Sequence, residues 1–163
     1  VLGTLDTALL RRLRTHGHQP PVEVAIRKFS KLGEHGAAWY GLSAAGAVLV
    51  PDRRVEFGRA AAIVAGSFVA NQAVKFLFRR PRPALEDLPP LIHTLSNRSY
   101  PSAHATTSAA GAVAIGKLLP AAAPPLFALA LAMAISRPYL GVHYPSDTVA
   151  GFALGLAVAE LAT

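Results

Sequence analysis

Hydrophobic and polar positions divide the chain into two unequal parts. Over residues 1–35 they alternate. Leu5, Leu9, Leu10 and Leu13 recur at helical spacing with Arg11, Arg12 and Arg14 between them, the pattern of an amphipathic helix. Pro20-Pro21 breaks it, and a second stretch sets Val22, Ile26 and Phe29 against Arg27, Lys28 and Lys31. Basic amphipathic helices of this kind lie in the membrane interface rather than crossing it. From residue 36 the alternation gives way to five apolar segments, at about 36–51, 57–78, 103–119, 121–136 and 147–162. Most are shorter than the roughly 20 residues of a spanning helix. Each is rich in Ala, Gly and Leu and carries no charge near its middle, and small residues let helices pack closely in lipid. Pro51, Pro120 and Pro124-Pro125 punctuate the ends, and one long polar loop runs from about 79 to 100. The pattern predicts an all-α integral-membrane bundle of about five transmembrane helices over 36–163. An amphipathic interfacial segment over 1–35 precedes it.

Composition agrees with lipid as the solvent. Of 163 residues, 52% are hydrophobic and only 15% charged, against the roughly 25% charged of a soluble domain. A net charge of +7 on a soluble chain would point to nucleic acid. Beside long apolar runs it points to anionic lipid, and aromatic residues are too few to stack bases. With no cysteine, disulfides, zinc–thiolate sites and thiol chemistry are excluded. The start, Val1-Leu2-Gly3-Thr4, lacks a basic stretch before an apolar core and is not expected to be a signal peptide. Opening on Val1 rather than Met is expected of a sequence that begins inside a longer chain.

Three basic or histidine-bearing clusters interrupt the apolar pattern. They are Lys75 with Arg82-Pro83, then Pro101-Ser102-Ala103-His104, then Ser136-Arg137 with His143 and Asp147. Unpaired charges at the ends of membrane helices are costly. If segments three and four cross the membrane and return, all three clusters meet on one face. Lys75 and Arg82 can clamp an anion from two directions. Taken alone they equally describe basic anchors at a helix end, which is the expectation for Arg79 and Arg80. Helix-start amides bind anions, Ser102 adds a hydroxyl, and His104 can carry a proton near neutral pH. A helix cap beside an incidental histidine fits that cluster equally well. The third cluster says most. His143 and Asp147 are four residues apart, so a carboxylate can hold one imidazole nitrogen and leave the other nucleophilic. His16, His18 and His93 lie in polar stretches and are expected in solvent. Glu34-His35 is expected at the interface, at the mouth of segment one. The histidines lack the spacing of a metal site.

The run Ser136-Arg137-Pro138-Tyr139-Leu140-Gly141-Val142-His143-Tyr144-Pro145-Ser146-Asp147 closely resembles the third signature of the type 2 phosphatidic acid phosphatase superfamily. Lys75 to Arg82-Pro83 is similar to its first signature and Pro101-Ser102-Ala103-His104 to its second. The resemblance spans about residues 36 to 160. It implies a lipid-phosphate phosphohydrolase in which Lys75, Arg82 and Arg137 hold the phosphate, helped by Ser102 and backbone amides such as that of Ala103. It implies that His143 attacks phosphorus, Asp147 orients His143, and His104 protonates the leaving oxygen and then activates water. It implies no metal and no cofactor. Ala103 stands where the family usually has Gly, which adds strain if that position needs positive φ.

Small size and an Ala-, Arg-, Gly- and Pro-rich composition further resemble the decaprenylphosphoryl-5-phosphoribose phosphatases of actinobacterial arabinan synthesis. Polyprenyl diphosphates and glycerolipid phosphates stay open as substrates, as does a non-catalytic lipid-phosphate binder or carrier. A vanadate-loaded peroxidase fits poorly in so short a chain. Members of the superfamily usually place the site on the outer face of the cell membrane. The count of cations points the other way. Arg11, Arg12, Arg14, Arg27, Lys28, Lys31, Arg79, Arg80 and Arg98 on the site face outnumber Arg53, Arg54, Arg59 and Lys117 opposite, which favours a cytoplasmic site.

Overall fold

Each of the five apolar segments is a helix, and two further helices precede them. A computed structural model describes residues 2–163; Val1, the first residue of the start read as no signal peptide, lies outside them. The helices are α1 (Leu2–Thr15), α2 (Pro20–Lys31), α3 (Ala37–Leu49), α4 (Arg54–Phe78), α5 (Ala103–Leu118), α6 (Ala123–Tyr139) and α7 (Pro145–Ala162). Among the described residues there is no strand, only an isolated antiparallel bridge between Pro81 and Arg98. Prolines set several starts, at Pro20, Pro124 and Pro145, where the missing N–H has no partner to lose. The third cluster departs from the expected helix end. α6 runs on through Pro138 to Tyr139, so Arg137 sits inside its last turn.

α5 is the axis of the bundle, packed against α4, α6 and α7 and buried from Ala105 to Gly116. Its small side chains permit that enclosure. Gly111 lies under the Trp39 ring of α3, whose indole N–H donates to Ser108 Oγ at 3.0 Å. Gly155 of α7 meets the Thr106 carbonyl of α5, and a Cβ there would strike that oxygen and the Ala109 methyl. Gly155→Ala is therefore expected to push the two helices apart. The cost is about 1–3 kcal/mol and a melting point lower by roughly 3–10 °C in detergent. Gly66→Ala, in open space on α4, serves as the neutral control. Equal melting points for the two variants would refute this packing argument.

The interior and exterior of the bundle are arranged as lipid requires. The inward stripe of α4 is Phe57, Ala60, Val64, Ser67, Asn71 and Lys75, apolar at one end and polar at the other. Its outward positions include the exposed Val55, Val69, Phe76 and Leu77, and α6 exposes Leu131 and Ile135. Burying serine, asparagine and lysine while exposing valine and leucine reverses the pattern of a water-soluble bundle. Two stretches, Pro51–Phe78 and Pro120–Tyr139, are long and apolar enough to cross a membrane.

The N-terminal helices lie across the polar end of the bundle, against α6 and α7. The buried face of α1 is Asp6, Leu10 and Arg14, while Leu5 and Leu9 are more than half exposed. Arg14 donates to the Pro89 carbonyl at 2.7 Å and the Tyr139 carbonyl at 3.3 Å. His18 is not in solvent as its polar surroundings predict. It stacks on Tyr139 with ring centroids 4.1 Å apart and bonds Glu23 Oε1 and the Leu13 carbonyl, because the helix junction folds it back onto α6.

Candidate active site

Local chain geometry aims each cluster at one cavity. α4 ends where Arg79 adopts the left-handed conformation (φ 50°), and the following Pro81-Arg82-Pro83 cannot continue a helix. Arg82 therefore turns back over the bundle. Its Nη1 donates to the Val142 carbonyl at 2.6 Å and its Nε to the Ser96 carbonyl at 2.7 Å. Ser102 caps α5, so Ala103 and His104 form its first turn, whose amides have no intrahelical partner. Gly141 (φ 78°) turns the chain after α6, carrying His143 back to the same place.

These elements enclose a cavity of about 610 Å³. Lys75, Arg82, Ala103, His104, Arg137 and His143 all line it, as do Glu34, His35 and His93. Segments far apart in sequence thus bring three cations and two histidines to one void. His93 is exposed yet lines the cavity, so it does not belong to bulk solvent alone, and Glu34-His35 forms part of the cavity wall. Ser102 and Asp147 are fully buried and do not line the cavity. Ser102 instead gives its N–H to the Asp147 carbonyl at 2.9 Å. Ala103 needs no positive φ, since among non-glycine described residues only His35 and Arg79 have it. Alanine there strains nothing.

His143 lies in the turn before α7 and is 2% exposed. Arg82 Nη1 is 3.1 Å from its Nε2. A guanidinium only donates, so Nε2 holds the lone pair and the ring proton is on Nδ1. Nδ1 faces Asp147 Oδ2 at 3.6 Å. Burial, followed by the charges of Arg82, Arg137 and Lys75, pushes the His143 pKa well below the usual imidazole range. The residue is a buried imidazole in a cationic pocket. Arg137 is held by Ser30 of α2, whose Oγ accepts from Nη1 at 2.6 Å, while its Nε is buried without a partner among the described residues. The Ser30 carbonyl accepts from His104 Nε2 at 3.1 Å. Asn71, fully buried, ties α4 to α5 by donating to Thr106 Oγ1 at 2.8 Å.

Residues 57–163 match the family model of the PAP2 superfamily. The chain belongs to the PAP2 superfamily. This PAP2 protein is 42% identical over 136 residues to the decaprenylphosphoryl-5-phosphoribose phosphatase of Mycolicibacterium smegmatis, covering 82% of the chain and 73% of the relative. It is 39% identical over 164 residues to the Mycobacterium tuberculosis protein of the same name, covering 99% of the chain and 86% of the relative. In fold it is similar to the transmembrane PAP2 type phosphatidylglycerolphosphate phosphatase of Bacillus subtilis. That match has a TM-score of 0.80 and 24% identity, covering 99% of this chain and 84% of the other.

The PAP2 protein also uses residues that its sequence pattern passes over. Arg79 is exposed and rests on the Phe76 ring, as an anchor does. Arg80 does not behave as one. It donates to Asp147 Oδ1 at 2.8 Å and to Asp6 Oδ2 at 2.7 Å. Ser30 and Asp6 are equally unforeseen. Each acts across more than 70 positions of chain, and no local spacing signals such a contact.

Proposed function

We propose that this lipid phosphatase of the PAP2 superfamily removes the terminal phosphate from a polyprenyl-linked sugar phosphate of the decaprenylphosphoryl-5-phosphoribose kind. The observation that carries the reaction is the meeting of Lys75, Arg82, Arg137, His104 and His143 around one cavity. The substrate follows from the two mycobacterial relatives, whose likeness extends over most of the chain.

In this reading Lys75, Arg82 and Arg137, with the first amides of α5, hold the three phosphate oxygens and stabilise the charge of the transition state. His143 Nε2 forms a bond to phosphorus while the ester P–O bond breaks. His104 gives the departing oxygen a proton. A water molecule then attacks the phosphohistidine, His104 takes its proton, the P–N bond breaks and inorganic phosphate leaves. Asp147 holds the Nδ1 proton in place through both steps, and the Ser102 amide fixes the Asp147 backbone. The protein is a multi-pass protein of the cell membrane, with α3–α7 crossing and α1 and α2 in the interface of the site face. The exposed apolar faces of α4 and α6 support that placement, and the excess of Arg and Lys on the site face supports a cytoplasmic site.

A phosphate-release assay on the detergent-solubilised protein tests the reading. Polyprenylphosphoryl-5-phosphoribose, undecaprenyl diphosphate, phosphatidylglycerophosphate and phosphatidic acid are compared with and without EDTA. The expected result is a kcat/KM at least ~10-fold higher for the phosphoribosyl lipid, unchanged by the chelator. A preference for a glycerolipid phosphate would reject the substrate. Loss of activity in EDTA would reject the metal-free mechanism.

A further inference from the structure

The charged network behind His143 reaches into a helix that the family match, residues 57–163, does not cover. Asp147 is fully buried and both its oxygens are engaged. Oδ2 accepts from the Tyr144 amide at 2.9 Å and Oδ1 from Arg80 at 2.8 Å. Arg80 lies over the Tyr144 ring, 4.1 Å from its centroid. Its other arm donates to Asp6 of α1, a residue only 6% exposed. Asp6 also accepts from the Ser146 amide at 2.9 Å and from the Ser146 hydroxyl. One guanidinium therefore bridges two buried carboxylates, and each depends on it for charge compensation.

We propose that Arg80 and Asp6 are positioning residues for the phosphoryl-transfer reaction. Asp6 anchors Arg80, and Arg80 fixes the rotation of Asp147 so that Oδ2 stays opposite His143 Nδ1. The proposal rests on His143 as the nucleophile, the reading given above. Without Arg80 the two carboxylates face each other unpaired, Asp147 turns away, and the imidazole loses the group that aims it. A lysine restores the charge but not both arms, because an ammonium is a compact point charge without the planar fork.

The test uses the full chain in detergent micelles with Arg80→Gln, Arg80→Lys, Asp6→Asn and the Asp6→Asn/Arg80→Gln double variant. Two readouts are taken: turnover of polyprenylphosphoryl-5-phosphoribose, and the rate at which phosphoramidate phosphorylates His143. In the labelling step His143 Nε2 bonds to phosphorus, the reagent's P–N bond breaks and ammonia leaves. It requires no knowledge of the lipid. Arg80→Gln is expected to lower kcat and the labelling rate ~30- to 100-fold with KM changed less than ~3-fold. Arg80→Lys should recover about 10-fold of that loss, and Asp6→Asn alone should cost about 10-fold. The double variant should be no slower than Arg80→Gln, since Asp6 acts through Arg80.

An unchanged labelling rate in Arg80→Gln, a rise in KM alone, a lysine no better than glutamine, or additive losses would each overturn the proposal. Should Arg80→Gln fail to fold, Asp6→Asn, which keeps its shape and loses only charge, decides it by the same readouts. A wild-type protein that labels at His143 in an Arg80-dependent way yet releases no phosphate from lipid would remove the substrate reading and leave this one standing.

Discussion

His143→Ala is expected to lower phosphate release by at least about 10⁴-fold, the scale seen when an enzyme loses its nucleophile. In the proposed reaction none of its neighbours at the phosphate takes its part: His104 moves the proton, and Lys75, Arg82 and Arg137 are cations that hold the oxygens. The fold should survive, because Arg82 keeps its bonds to the Val142 and Ser96 carbonyls when the ring is gone. Binding of orthovanadate should weaken sharply, since a vanadate adduct needs the Nε2 lone pair. Acid-labile phosphate on the wild-type chain, absent from the variant, would identify the intermediate. Protonation gives a second signature. A lowered pKa means that the imidazole stays neutral as pH falls through its ordinary range, so the acid limb assigned to His143 should lie well below 6.5. Turnover by His143→Ala within 10-fold of wild type would remove histidine from the chemistry.

How much of this site could be read in advance differs between its parts. The helices were legible because each apolar segment is bounded by proline or charge. Pro51, Pro120 and Pro145 lie within a few residues of observed boundaries. The convergence of the three clusters was legible from connectivity alone. Segments three and four form an antiparallel pair, so chain order forces the second and third clusters to one end. The orientation of α1 was not. Its alternation of leucine and arginine reads as an interfacial helix and does not tell which residues meet the bundle: Leu5 and Leu9 are exposed, and Asp6, Leu10 and Arg14 are buried. In water the leucines would turn inward. An apolar stripe turned outward with the polar stripe against the bundle is the arrangement a lipid interface would favour. The clue was present in the spacing, since Asp6, Leu10 and Arg14 are successive i, i+4 positions on one face.

Arg80 marks a different limit. Nothing in Arg79-Arg80-Pro81-Arg82 distinguishes the first arginine from the second. The left-handed turn at Arg79 decides which side chain faces solvent and which faces Asp147. Asp147 has two parts in the structure. It caps α7 through the Tyr144 amide and it faces His143. The capping bond and the bond from Arg80 engage both its oxygens. Ala103 is the converse case. Its departure from the family's glycine mattered only if the backbone were left-handed, and the first turn of α5 is not.

His104→Ala is expected to separate the two chemical steps. The edge of the ring carrying Nε2 and Cδ2 faces α2, against the Ser30 carbonyl and Gly33. A carbonyl only accepts, so Nε2 keeps its proton and Nδ1 is the nitrogen that exchanges one with substrate, the ring giving it as the imidazolium and being left neutral. A sugar alkoxide is a poor leaving group, and without that proton its departure should slow by about 10²- to 10⁴-fold. p-Nitrophenolate leaves without a proton. With p-nitrophenyl phosphate the variant should therefore still transfer phosphoryl to His143, releasing a burst of one phenolate per enzyme. It should then stall, because the attacking water also lacks its base. Phosphohistidine should accumulate to near stoichiometry and be detected by mass spectrometry of the peptide containing His143. Equal losses on both substrates with no trapped intermediate would show that His104 holds the pocket's shape, through Ser30 and α2, and moves no proton.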